Sequence, residues 1–149
     1  MNYLLDTNIF LTMVRKPQFA KNFNRMYARP DNILFTSVVV EGELKSFVRQ
    51  RKWGDQKIRN LNYLLEGMAI YPIKTERVIE QYAEIDTFSQ GKHESRHLMT
   101  SARNMGKNDL WIASTASVLN ATLVTIDKDF NHLQGVYLDL MLIDINDFA

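Results

Sequence analysis

Thr122-Leu123-Val124-Thr125-Ile126-Asp127 is the clearest strand in the chain: apolar, β-branched and closed by an acid. A helix precedes it, opening at Asn108-Asp109-Leu110-Trp111-Ile112-Ala113 and ending near Asn120. The same alternation recurs outward in both directions. Tyr3-Leu4-Leu5 is a short apolar run followed by the cap-forming Asp6-Thr7-Asn8, which predicts a buried strand giving way to a helix near Ile9. Ile33-Leu34-Phe35-Thr36-Ser37 repeats it, and Ser37 caps a helix carrying Glu41, Glu43, Leu44, Phe47 and Val48. A helix from Asp55 follows, with Ile58, Leu61, Leu64 and Leu65 at helical spacing. Ala69-Ile70-Tyr71-Pro72-Ile73 is a third candidate strand whose proline argues for an edge or a strand end, and Thr75-Glu76 opens another helix. After the polar run Ser89–Arg96 a shorter helix is expected, and Leu140-Met141-Leu142-Ile143 supplies a last strand. Strands alternating with helices define the α/β class with a largely parallel sheet.

At 149 residues, with no linker, repeat or low-complexity tract, the chain reads as one domain over residues 1–149. The absence of cysteine excludes disulfides, iron–sulfur clusters and cysteine-type zinc sites. No apolar run approaches the ~20 residues of a membrane span, and the Met1-Asn2-Tyr3 start lacks the basic region of a secretory signal. A cytoplasmic protein is the expectation. The net charge of +1 hides an asymmetry: residues 1–75 carry 12 basic and 6 acidic side chains, the rest 6 and 11. The basic excess peaks between Lys45 and Arg59, where Arg49, Arg51, Lys52, Lys57 and Arg59 lie among Phe47 and Trp53. Such a stretch suits phosphate groups, against the alternative of an ordinary solvated helix surface.

In parallel α/β sheets ligands sit beyond the carboxyl ends of the strands. Asp6 and Asp127 close two predicted strands, Glu43 lies early in a helix leaving a third, and Asp109 starts the helix that leads into the strand ending at Asp127. Each has a plainer reading as a cap, dipole partner or turn residue, and Glu41 competes with Glu43. Together they converge on one sheet edge. Clustered carboxylates repel unless a cation neutralises them, and an oxygen-only ligand set suits Mg²⁺ or Mn²⁺ and phosphodiester chemistry.

Leu4–Ile9, Thr36–Leu44 with its Glu41-Gly42-Glu43, Gly106–Ala116 and Leu123–Phe130 together resemble the PIN-domain nuclease family, most of all its VapC-type toxin ribonucleases. Four motifs in family order span nearly the whole chain. The resemblance implies a three-layer fold, a mostly parallel central sheet flanked by helices, and an Mg²⁺- or Mn²⁺-dependent endoribonuclease. By motif the catalytic acids are Asp6, Glu43, Asp109 and Asp127, with metal held by Asp6, Asp109 and Asp127; Glu43 and Asp129 stand as further ligands or, for Asp129, a substitute. Asn8, Ser37 and Thr125 match supporting polar positions. The partners implied are RNA, a cognate antitoxin and a second copy of the chain. The other outcomes weighed are an RNA-processing PIN nuclease that is not a toxin and a non-catalytic binding module. A rival signal remains: His93-Glu94-Ser95-Arg96-His97 matches the H-E-x-x-H motif of zinc metalloproteases, which requires a helix to bring both imidazoles to one face. Its charged, glycine-preceded setting argues instead for solvated surface histidines. Ser37 has no His or Asp partner in the pattern, so a Ser-His-Asp triad is rejected.

Overall fold

The strand Asn2–Leu5 (β1) is the middle of the sheet. It pairs in parallel with Ile33–Ser37 (β2) on one side and Thr122–Thr125 (β4) on the other. Ala69–Tyr71 (β3) pairs outside β2, and Asp139–Leu142 (β5) outside β4, giving the order β3-β2-β1-β4-β5, all parallel. The computed structural model describes residues 1–148. Leu4, Leu5, Leu123 and Val124 are fully buried, as strands covered on both faces must be.

The helices are Thr7–Arg15 (α1), Pro17–Tyr27 (α2), Val38–Gln50 (α3), Asp55–Glu66 (α4), Glu76–Ser89 (α5) and Lys107–Val118 (α6). The chain steps from β1 to β2 to β3 in one direction, then returns across the sheet to β4. Right-handed crossovers therefore place α1–α4 on one face and α5–α6 on the other. Packing agrees: α1 rests on α2, α3 and α4, while α5 lies along α6. The expected three layers are present. No helix among the described residues is long and apolar enough to cross a membrane.

Three boundaries differ from the sequence reading. The first helix starts at Thr7 rather than near Ile9, because Asp6 caps it by accepting the Thr7 N–H at 2.7 Å. It stops at Arg15, and Pro17 opens a separate helix at a position where its missing N–H costs nothing. The short helix expected after Arg96 does not form: residues 90–106 are irregular. Gly91, at φ 73, ends α5, and the segment that follows has too few apolar residues at helical spacing to bury a face. It is tied back where Arg103 N–H donates to the Ser89 carbonyl at 2.8 Å and Met105 is buried.

The α3–α4 turn is a Schellman motif: Trp53 N–H reaches the Val48 carbonyl at 3.1 Å and Lys52 N–H the Arg49 carbonyl at 3.3 Å. Its left-handed position, usually glycine, is held by Lys52 at φ 52. Lys52→Gly is expected to stabilise the fold by about 0.5–1 kcal/mol by removing the Cβ clash. Thermal unfolding by circular dichroism checks this; an unchanged or lower midpoint would refute it.

Candidate active site

The sheet winds outward from β1 in one direction and from β4 in the other, so the crevice beyond their carboxyl ends is the switch point of the topology. The register holds those ends level, with Leu5 opposite Val124, and Asp6 N–H continues the ladder to the Val124 carbonyl at 2.9 Å. Asp6 is therefore delivered to the crevice while remaining only 4% exposed. Its Oδ2 accepts from the Thr125 hydroxyl at 2.7 Å and from Asn8 Nδ2 at 3.3 Å. Thr125 Oγ1 in turn accepts from Asn8 Nδ2 at 3.2 Å and Asp127 N–H at 3.0 Å, and Asn8 Oδ1 takes the Ile126 N–H at 3.2 Å. Asn8 and Thr125 thus clamp α1 to the end of β4 around one carboxylate. Burial pushes the Asp6 carboxyl up from 3.8 to about 6; the hydrogen bonds oppose that rise, and the charges of Glu43 and Asp127 add to it.

Glu43, on the second turn of α3, is held at both oxygens. Oε1 accepts the Thr7 hydroxyl at 2.7 Å, and Oε2 accepts Asn108 Nδ2 at 3.3 Å. Asp109 sits in the first turn of α6. Burial, then the charges of Asp6, Asp127, Glu43 and Asp129, push its carboxyl up to about 7. No hydrogen bond offsets that rise. Asp127 caps the 3₁₀ turn Lys128–Leu133 by accepting Asp129 N–H at 2.8 Å. Asp129 is exposed at the rim, and its carbonyl accepts from Arg103 at 3.3 Å.

All four expected acids thus meet at one crevice, from four distant segments of chain. Their donors are oxygens only, a set suited to a hard divalent cation. Among the described residues they do not close into a tight three-ligand cage; they form an open cluster in which burial, and then like charge, raise Asp6 and Asp109. Ser37 does not touch the acids: fully buried, it accepts the Val39 N–H at 3.1 Å and sets where α3 begins. Thr7 and Asn108 are the contacts that sequence reading missed. Each lies beside a recognised acid, but their bonds to Glu43 span 36 and 65 residues and leave no local signal.

The zinc motif is not assembled. Residues 93–97 are not helical. His93 Nε2 instead meets the Glu84 carboxylate at 3.0 Å, while its Nδ1 accepts the N–H groups of Ser95 and Arg96. Without a helix, His93 and His97 do not share a face, so the metalloprotease reading fails on geometry. In the basic stretch, Arg51 lies over Phe47 and Lys57 over Trp53, whereas Arg59 turns to Gln56 at 3.1 Å. Arg49 and Lys52 are exposed.

A family profile described as PIN domain matches residues 3–136. The chain belongs to the PIN domain family. Its PIN domain is 31% identical to Ribonuclease VapC2 of Rickettsia felis over 141 residues, 93% of this chain and 97% of that protein. It is likewise 31% identical to Ribonuclease VapC1 of Haemophilus influenzae, over 89% of this chain and 92% of that one. Among solved structures, VapBC2 from Rickettsia felis bound to a promoter DNA fragment superposes with a TM-score of 0.78 at 28% identity, covering 97% of this chain and 100% of that one. VapBC-1 from nontypeable Haemophilus influenzae gives 0.72 at 27% identity, covering 95% and 98%.

The raised carboxyls of this PIN domain set a pH dependence. Asp6 and Asp109 hold protons more tightly folded than unfolded, so their contribution is full below about pH 4 and is lost as pH rises through 6 to 7. In chelator, stability is expected to fall by about 2 kcal/mol between pH 5 and 8, with solvent reaching Asp109 discounted. Asp109→Asn should flatten that fall. Denaturant unfolding at the two pH values checks it; a wild-type protein more stable at pH 8 would contradict it.

Proposed function

We propose that this PIN domain is a divalent-metal-dependent endoribonuclease, the toxin of a type II toxin–antitoxin pair, hydrolysing RNA phosphodiester bonds. The observation that carries it is the meeting of Asp6, Glu43, Asp109 and Asp127 at the switch point, in a chain alike over nearly its full length to proteins named ribonuclease VapC. The VapBC structures, complexes of such proteins, support a cognate antitoxin as partner.

Mg²⁺ or Mn²⁺ fits the site. Such an ion keeps several waters and needs only one or two carboxylates, so an open acidic cluster suffices. Burial first, and like-charge repulsion after it, lift Asp6 and Asp109, and a cation relieves that repulsion. Asp6, Asp109 and Asp127 would hold it, with Glu43 and Asp129 within the same cluster. Bound there, the ion would supply an activated water and neutralise charge building on the phosphate. The chain's own part is orientation. Asn8 and Thr125 fix the plane of the Asp6 carboxylate, while Thr7 and Asn108 keep both oxygens of Glu43 aimed at the crevice. No serine or histidine nucleophile is needed.

Asp6→Asn, Glu43→Gln and Asp109→Asn should each abolish RNA cleavage with Mg²⁺ or Mn²⁺ while circular dichroism shows an intact fold. Thr125→Val should reduce it about 10–100-fold, as loss of a group orienting a ligand does. Full activity in Asp109→Asn would overturn the assignment. His93→Ala with His97→Ala should leave cleavage unchanged, and the purified protein should carry no stoichiometric Zn²⁺. In cells, induced expression should arrest growth, and Asp6→Asn or co-expression of the neighbouring gene should relieve the arrest. Harmless expression of an enzyme active in vitro would leave an RNA-processing nuclease instead.

A further inference from the structure

One face of α3 is unpartnered and runs away from the acids. Val39, Gly42, Glu43, Ser46, Phe47 and Gln50 fall on a single stripe, and with Asn108 of α6 they line an open groove of about 460 Å³. One end of the groove is Glu43, already within the acidic crevice. The other end is Phe47, whose ring carries the guanidinium of Arg15 at 5.3 Å and that of Arg51 at 5.4 Å. Trp53 meets Phe47 edge-on at 5.7 Å, and its own ring carries the Lys57 ammonium at 5.3 Å. Among the described residues, none of these three cations is paired with a carboxylate. Phe47 lies outside the buried core, so it works as a pedestal that holds two guanidiniums ready rather than as core filling.

Two further features shape the groove. Gly42 is a glycine in the middle of a helix, where it weakens the element, yet a Cβ there would meet nothing within 4 Å. Packing does not require it, and the groove floor stands open there. Lys52, at φ 52, closes the turn between Arg51, whose guanidinium lies over the Phe47 ring, and Trp53, which meets that ring edge-on.

We propose that this groove is the track of a single RNA strand, a reading that rests on the ribonuclease function above. The strand enters over Glu43, passes above Gly42 and Ser46, and lays its phosphates against Arg15, Arg51 and Lys57. A cationic groove interleaved with aromatic faces is the arrangement that binds unpaired strands with little regard to sequence. Unpaired cations at the exit favour a polyanion over a peptide. Arg15, from α1, belongs to this track although it lies outside the basic stretch of sequence.

The test is anisotropy of a short labelled oligouridylate against salt concentration, in chelator so that nothing is cleaved, with cleavage assayed separately in Mg²⁺. Arg15→Ala with Arg51→Ala should lower the salt slope by about 0.7 for each phosphate that is no longer neutralised. Phe47→Leu should weaken binding severalfold. Gly42→Leu should weaken it severalfold too, with a thermal midpoint at or above that of the wild type, so that misfolding cannot explain the loss. Wild-type affinity and slope in these variants would overturn the track while leaving the nuclease reading intact. So would equal competition by duplex RNA, or loss of antitoxin binding alone, which would make the groove a protein site. A wild type that neither binds nor cleaves RNA would sink both readings.

Discussion

A carboxylate buried to 4% exposure at the point where the sheet reverses direction is the constraint from which the rest of this molecule follows. Taking Asp6 out of water disfavours its charged form, and the charges of Glu43 and Asp127 disfavour it further. The fold holds it there through the Thr7 N–H, the Thr125 hydroxyl and the Asn8 amide. Those donors also do structural work. The Asn8 and Thr125 bonds join α1 to the end of β4, so the group that orients the acid also registers the two central strands. A site strained by its own charge is stored stress, and it is tolerated because the surrounding elements over-determine it. The consequence is a crevice that favours a positive charge whatever the occupant.

Doubly wound topology explains how so few residues achieve this. β1 and β4 are adjacent in space although more than a hundred residues apart, and each is followed within two residues by an acid. The helices α3 and α6 lie on opposite faces, yet both have their N-terminal turns at the same sheet edge and meet there. Asp109 arrives in the first turn of α6, near the positive end of its dipole, and Glu43 one turn further into α3. The Asn108 amide bridges to Glu43 and closes the cluster from the far layer. No single element contains the site.

The strands, the class and the four acids were legible because they are local signals: an apolar run and a polar stop at its carboxyl end. Leu123-Val124-Thr125 and Leu4-Leu5 read as buried strands because burial on both faces leaves no room for alternation. The stretch Gly91–Gly106 was misread in part, since a run of mixed polar residues says little about where a chain is tied down; Met105 and the Arg103–Ser89 bond decide that. His93-Glu94-Ser95-Arg96-His97 matched a motif letter by letter but lacked the helix that gives the motif its meaning. Thr7, Asn108 and Arg15 were illegible for another reason. Their partners lie 36, 65 and 32 residues away, and only the tertiary fold brings them together.

The uneven charge of the chain acquires its sense from the layers. Residues 1–75, with 12 basic and 6 acidic side chains, build β1 to β3 and the face formed by α1–α4; the acidic remainder builds α5, α6 and the far edge. The molecule is therefore polarised across its sheet, and the acidic crevice lies at the seam. A polyanion approaching the acidic layer is repelled, whereas one approaching the basic layer is attracted by its net positive charge. Long-range potential of this kind acts on encounter and orientation rather than on the final contacts, and salt screens it. A nuclease built on carboxylates has to admit a negatively charged chain to a negatively charged site. Separating attraction from chemistry, at the two ends of one stripe of α3, is how this fold reconciles the two.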